Sequence, residues 1–451
     1  MANTMRLRAA ALLSCLALLG APVAAGGEGL LPAGTDLGEQ SLDEPREIFK
    51  TDVAGGERSY LVRLGDMAFS APGILGPAAR QARMSCATCH RNATNNPSLF
   101  IPGLSTKGGT FDTTSALFNP AADDHRLDAL RIPSLRGTRF LAPYGHDGRF
   151  ASLRDFIRNV IVGEFAGPEP PPVILDALVA YLQEIEFLPN PRLAAGGRLA
   201  AGASPLERRG EALFFRPFPH DPSLSCAACH TPSAAFTDRR LHDVGSGGFE
   251  KTPTLLGANF NAPYFHDGRY DDYAAVVGHF DRVFALGLGP DETKALVAYL
   301  RAVGDGEQPF EPAGVDDALV EVEYFVSVLD TALPAHDRPV IALTVDTVIG
   351  ELRELTERFP ERRNSVVRDG RAERGKARAA LRELVLDLRR VGLAGEAGEF
   401  DAASAALARY RAELEAAAPA LEDAEPYSLF DPERRRAYLA ELQCLQSGAA
   451  N

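Results

Sequence analysis

Apolar positions at helical spacing recur along the chain in short blocks, separated by polar stretches rich in glycine and proline. The first block is an amphipathic piece from Tyr60 to Met67. Two later blocks carry the same hexapeptide, Ala177-Leu-Val-Ala-Tyr-Leu182 and Ala295-Leu-Val-Ala-Tyr-Leu300, each inside a pattern that predicts an amphipathic helix. Between them, Pro189-Asn-Pro-Arg and the Ala/Gly run to Ala203 predict a linker. Ser204, Pro205 and Glu207 then predict an N-cap, a first helical residue and the closing member of a capping box, ahead of Leu213 and Phe214. From about Pro309 the composition turns to Ala, Leu, Glu and Arg. Leu381, Leu384, Val385, Leu388 and Val391 mark one apolar stripe there, and Asp401 to Ala417 carry another. Four or five helices are expected, packed as a bundle or against the preceding units, with their charged faces in solvent. The fold class expected is mainly α.

The polar stretches are not featureless. Arg131-Ile-Pro-Ser-Leu-Arg-Gly-Thr-Arg-Phe-Leu-Ala-Pro-Tyr-Gly-His-Asp-Gly-Arg-Phe150, moved along by 120 residues, lands on Lys251-Thr-Pro-Thr-Leu-Leu-Gly-Ala-Asn-Phe-Asn-Ala-Pro-Tyr-Phe-His-Asp-Gly-Arg-Tyr270. Eleven of the twenty positions are identical without a gap, which makes this an internal repeat. It sets the expected division: a first unit over 26–190, a second over 204–308 and a helical region over 309–451.

Each unit also holds one short signature, Cys86-Ala-Thr-Cys89-His90 and Cys226-Ala-Ala-Cys229-His230. In Cys-x-x-Cys-His, two thiols on one helical turn can each bond a haem vinyl group, while the histidine presents its imidazole to the iron. Two c-type haems, covalently held by Cys86, Cys89, Cys226 and Cys229 with His90 and His230 as iron ligands, are expected. The competing readings are a dithiol redox pair and a zinc site, which needs four converging donors.

Composition narrows the setting. The 451 residues are 45% apolar and 24% charged, ordinary for a globular protein. Arg6 and Arg8, the apolar stretch from Ala9 to Leu19 and Val23-Ala-Ala25 predict an export signal over 1–25, and hence a periplasmic protein. Cys15 offers a lipoprotein alternative, but its preceding apolar run is short. Loss of the segment removes two arginines and no acid, taking the net charge from −14 to about −16. Such a surface repels nucleic acid and suits a basic or locally positive partner. No other stretch approaches the roughly 20 apolar residues of a membrane span. Cys444 is left over and reads as a small buried hydrophobe.

Two tandem Cys-x-x-Cys-His modules, each with a His-Asp-Gly-Arg turn ahead of a Leu-Val-Ala-Tyr-Leu helix, resemble the bacterial diheme cytochrome c peroxidase superfamily, which includes diheme enzymes that oxidise tryptophan side chains of partner proteins. The resemblance covers roughly Leu61 to Gly304. It implies two tandem cytochrome c-type haem domains, here followed by a C-terminal helical extension, with a peroxide-reacting haem in the first and an electron-relay haem in the second. It also implies calcium between the domains, hydrogen peroxide as substrate, and a small redox protein (a cytochrome c or a cupredoxin) as electron donor. A glutamate beyond the Asp-Gly-Arg turn moves the proton in such peroxidases, and Glu164, seventeen residues past Asp147, falls at nearly that place, with Glu169 close by. Arg149 and Arg269 are expected to contact haem propionates, because a guanidinium fork matches a carboxylate.

The chain departs from that pattern in three ways. Where the electron-transfer haem's methionine is expected, it reads Ala275-Val-Val-Gly278, and the only methionines beyond the signal are Met67 and Met84. His279 is the nearest replacement ligand. There is no tryptophan, so Tyr144, Tyr264 or direct transfer between haem edges must serve where an indole relays electrons. His146 stands at the usual tryptophan position, where it could ligate the first iron in a resting, closed state, but its match with His266 suggests hydrogen bonding to a propionate or holding of the loop. Finally, the helices after 309 are an addition, open to gating the first haem or recruiting a partner. His125, beside Asp123 and Asp124, reads as a surface residue, and His242 carries no catalytic assignment. An electron carrier without peroxide chemistry, and a peroxide-dependent oxidation of a partner's side chain, are the alternative functions.

Overall fold

The computed structural model describes residues 30–38, 46–307, 314–361 and 369–446. The export segment expected over 1–25 and the side chain of Cys444 lie outside what it describes. The protein is mainly helical, with two two-stranded antiparallel sheets as the named strands among the described residues.

The internal repeat is carried into three dimensions. In the first unit the Tyr60–Phe69 helix, capped by Ser59 accepting from the Val62 N–H, packs across the Pro172–Glu184 helix that contains the first hexapeptide. In the second, the Pro205–Phe214 helix packs across Pro290–Val303, which contains the other. Ser204 and Glu207 form the expected capping box: the Glu207 N–H donates to Ser204 Oγ at 3.3 Å and the Ser204 N–H to Glu207 Oε2 at 2.8 Å. The repeated loops match as well. Ala142-Pro143 and Ala262-Pro263 are both cis, and Tyr144 bridges Phe150 as Tyr264 bridges Tyr270.

Each unit holds a strand pair. Leu130–Arg131 pairs with Thr110–Phe111, and Phe249–Lys251 with Leu241–Asp243. At the start of each repeated segment the backbone crosses to the other unit: the Arg131 N–H donates to the His266 carbonyl at 2.6 Å, and the Lys251 N–H donates to the His146 carbonyl at 2.8 Å. These two bonds relate the units by an approximate two-fold axis.

Apolar burial is divided unevenly. One core runs from Phe49 and Leu64 in the first unit through Ile174 and Tyr181, and on without a break into Val322, Leu352, Leu384 and Tyr410 of the C-terminal helices. The second unit keeps its own core around Phe214, Phe236, Leu296 and Tyr299. The helices Val315–Val326 and Arg338–Glu357 thus back the first unit, against its Tyr60–Phe69 helix. Arg46–Asp317, Arg80–Asp346 and Arg83–Glu357 ion pairs at 2.7–3.1 Å fringe the junction, where exposure leaves them worth little beside the buried apolar area. No helix among the described residues is long and apolar enough to cross a membrane.

Candidate functional site

Cys86–Cys89 and Cys226–Cys229 each form a single helical turn, opened by Ser85 and Ser225. The chain leaves the helical conformation at the next residue, His90 (φ −113°, ψ 65°) and His230 (φ −85°, ψ 71°). His90 Nδ1 lies 3.1 Å from the Thr94 carbonyl oxygen and 2.9 Å from that of Pro133. His230 Nδ1 lies 3.2 Å from the carbonyl of Phe236 and 3.1 Å from that of Pro253. An imidazole between two acceptors carries its proton on Nδ1, which leaves Nε2 as the basic nitrogen. Such a second partner is what fixes the tautomer and ring plane of a metal-ligating histidine. Burial lowers the proton affinity of both rings, keeping them neutral and available as donors to a metal.

The four cysteines form no disulfide. Burial pushes the Cys86 and Cys89 thiols up to about 12 and Cys226 to about 11, and raises Cys229 as well. A reactive dithiol or a zinc thiolate needs the opposite shift. Among the described residues, Cys229, Asp238 and His242 are the one set of three His, Cys, Asp or Glu groups whose ligand atoms converge, short of a four-donor zinc site.

Both signatures face one continuous cavity of about 700 Å³. Its walls are mostly apolar, as a porphyrin face requires, with Leu75, Leu178, Phe214 and Leu296 among them. All its lining residues lie between Phe69 and Leu300, so the C-terminal helices contribute none of the wall. They pack instead against the Tyr60–Phe69 helix.

Glu164 reaches the cavity from a π-helical turn, Asn159–Glu164, that continues the Leu153–Arg158 helix. The wider turn re-aims one side chain, a device common at functional sites. Glu164 Oε1 accepts from Arg149 Nη2 at 3.0 Å and Asn159 Nδ2 at 3.1 Å, and its side chain is 13% exposed. Burial raises its proton affinity, the neighbouring Arg149 opposes that, and the result is a carboxyl held above its ordinary value. Glu169, the alternative, is exposed, paired with Arg158 and pulled down by that pairing; it does not line the cavity.

Several other residues lie elsewhere than the spacing suggested. His279 is not on the cavity wall. Its Nε2 lies 2.7 Å from the Val244 carbonyl and its Nδ1 lies 2.9 Å from the Tyr270 hydroxyl, so both nitrogens are engaged. The reason is helix phase: Val276, Val277, Phe280 and Phe284 line the cavity, and at roughly 100° per residue His279 points off that stripe. Met67 and Met84 are buried in the first core and also miss the wall. Arg149 lines the cavity but is paired with Asp147 and Glu164. Arg269 is bound to Asp267 and the Ser246 carbonyl, off the wall. His125 is exposed beside Asp123. His242 lines the cavity with its Nε2 2.7 Å from Asp238, and Tyr144 and Tyr264 line it too.

Sequence reasoning passed over Arg131 and Lys251, the cations that open the two copies of the repeat. Both line the cavity between the two signatures. The alignment of the repeat was the available signal, since it sets a cation against a cation at its first position.

Residues 207–311 match the family model described as di-haem cytochrome c peroxidase. Hydrazine synthase subunit gamma of Kuenenia stuttgartiensis is 28% identical over 218 residues, covering 44% of this chain and 52% of that protein. Methylamine utilization protein MauG of Methylorubrum extorquens is 27% identical over 182 residues, covering 32% of this chain and 49% of that one. The chain thus spans about half the length of the curated relatives it matches. Among solved structures, Kuenenia stuttgartiensis hydrazine synthase pressurized with xenon aligns at a TM-score of 0.40 and 20% identity, over 66% of this chain and all of the other. A MauG-like protein associated with microbial copper homeostasis aligns at 0.38 and 15%, over 58% and 94%.

Proposed function

We propose, from kinship with the di-haem cytochrome c peroxidase family, that this is an exported protein of two tandem cytochrome c-type haem domains, which reduces hydrogen peroxide with electrons from a small redox protein. The observation that carries the reading is the pair of Cys-x-x-Cys-His turns on one cavity, each histidine tied through Nδ1 to two backbone carbonyls. Cys86 and Cys89 would hold one haem with His90 as iron ligand, and Cys226 and Cys229 the other with His230. Protonated thiols in an apolar wall fit thioether formation better than dithiol exchange. When bound, the haems supply one-electron redox chemistry and the site at which peroxide is activated.

The chain's own residues arrange the proton. Reduction of H2O2 to two waters takes two electrons and two protons. Glu164 is the cavity-lining carboxyl on the first site, with an affinity raised enough to accept a proton and return it. Arg149 and Asn159 fix its Oε1, leaving Oε2, which has no hydrogen-bond partner among the described residues, for the proton's exchange. The electron-carrier alternative places two strong axial ligands on each iron. His279 and both methionines are off the wall, while His146, His242 and His266 are on it. The peroxidase reading is therefore preferred for Glu164, the carboxyl of raised proton affinity on that wall, and not for want of a ligand.

The test is peroxide consumption by the protein, purified with both haems, with a reduced small cytochrome or cupredoxin as donor. Glu164→Gln is expected to lower the rate by about 10²–10⁴, the usual contribution of a positioned acid–base group. Turnover at the unaltered rate in that variant, with haem content intact, overturns the proton assignment. Optical bands that stay low-spin and ignore peroxide in the half-reduced protein return the carrier reading.

A further inference from the structure

The junction between the two units holds a cation with nothing to pair with. Arg131 Nε is fully buried and has no hydrogen-bond partner. Two more buried orphan atoms that can donate stand on the same cavity wall, both from the second unit: Ser246 Oγ and His266 Nδ1. Unsatisfied buried polar atoms are rare in folded proteins, and three able to donate on one cavity wall call for an acceptor. Arg131 belongs to the first unit, yet its N–H is bonded to the His266 carbonyl at 2.6 Å, which sets it beside that second-unit histidine.

The charge of the missing group follows from the neighbours. Arg131 and Lys251 both line the cavity, and Lys251 Nζ finds only the carbonyl oxygens of Leu141 and Pro143, at 2.8 and 2.5 Å. Burial brings Lys251 down to about 8 and Arg131 down to about 10, and burial together with the Arg131 charge takes His146 to about 3. Glu250 is the nearby acid, and burial, then Asp147 and Asp267, push it up to about 7, so it offers little compensation. The pocket is cationic, apolar-walled and short of an acceptor, which is the environment of a carboxylate.

We propose that Arg131 crosses from the first unit to bind a propionate carboxylate of the haem held at Cys226 and Cys229, with Ser246 and His266 as further donors. The inference rests on the haem reading above and adds a positioning residue to it. The first unit would in this way set the reduction potential of the second haem. A carboxylate stripped of its cation favours ferric iron over ferrous, so loss of Arg131 lowers that potential.

The experiment is a spectroelectrochemical titration of the holoprotein and its Arg131→Gln, Arg131→Lys and Ser246→Ala variants, after covalent haem has been counted in each. Absence of covalent haem from the wild type defeats the haem reading itself and is told apart at that step. With two haems present, Arg131→Gln is expected to make reduction of the second haem about tenfold less favourable, 59 mV for one electron. Its midpoint should also become pH-dependent as the freed carboxylate titrates, and Arg131→Lys should restore most of the shift. Should Arg131→Gln fail to take up haem, Ser246→Ala decides, with a smaller drop of about twofold expected. A second-haem midpoint that stays put, or a shift confined to the first haem, overturns the proposal.

Discussion

The Cα of Gly65 rests against the carbonyl of Ala177 with no room between them for even a methyl group. Gly210 meets Ala295 in the same way in the second unit, with Tyr181 and Tyr299 as the next neighbours of each glycine. This contact is the crossing point of the two helices that close each unit, and the carbonyl is helix backbone, which cannot step aside. Gly65→Ala and Gly210→Ala should each cost about 1–3 kcal/mol through overpacking, more than the helix propensity of alanine returns. Thermal unfolding reads it; unchanged melting in both variants would mean the helices cross less closely than described.

His279 is held between the Val244 carbonyl and the Tyr270 hydroxyl, and its ring packs edge-on against Phe265. A histidine so engaged ties the helix Tyr273–Phe284 to the turn between the Leu241–Asp243 and Phe249–Lys251 strands. His279→Ala should leave the absorption bands of the second haem in place while lowering stability by about 1–3 kcal/mol, the cost of stranding buried partners. Loss of a low-spin band in that variant would restore His279 as a ligand.

The local patterns were legible where one residue type can do only one job. Ser204 and Glu207 announced a helix start because no other short spacing satisfies two end groups at once. The repeat announced paired units because its turn residues recur with the hexapeptide helix behind them. His279 lies off the cavity wall because proximity in sequence to a ligand position says nothing of helix phase, which one intervening residue changes by roughly 100°. Arg131 stayed hidden because its orphaned Nε is a property of two units meeting, and neither unit's sequence contains that junction. The attachment of the C-terminal helices to the first core was equally out of reach, since an apolar stripe does not name the surface it covers.

That attachment buries acids. Asp66 on the Tyr60–Phe69 helix is held well above the ordinary carboxylate value by burial, then by Glu47 and Glu321, with Arg58 opposing. Glu351 is raised likewise by burial, then by Glu354, Glu321 and Asp66 itself. A carboxyl with a raised affinity in the folded state holds its proton where the unfolded chain has lost it. Its contribution is therefore full below the unfolded value, near 4, and is lost as pH rises through the folded one. At Asp66 and Glu351, pH 5 thus favours the fold over pH 8. The buried neutral His90, His146 and His230 pull the other way, so the test is made at one residue. Asp66→Asn should add about 2–4 °C at pH 8, the shift of roughly 1 kcal/mol in a chain this size, and almost nothing at pH 5. Equal effects at the two pH values would show that the Asp66 charge is already compensated.

Arg149 touches the same oxygen of Glu164 that Asn159 does, and also reaches Asp147 at 3.1 Å. Its charge and hydrogen bond pull the Glu164 proton affinity down against the larger effect of burial. Removing it leaves burial unopposed, so the carboxyl becomes harder to ionise. If Glu164 takes the first proton from peroxide, turnover falls as pH drops through the value at which Glu164 protonates. In Arg149→Gln that acid limb should move to higher pH, with the rate at pH 8 less affected than the rate at pH 6. Asn159→Ala removes a neutral partner and should move the limb by less. A pH–rate profile that keeps its acid limb in Arg149→Gln, with activity scaled down evenly, would assign the arginine to holding the loop rather than to tuning the proton.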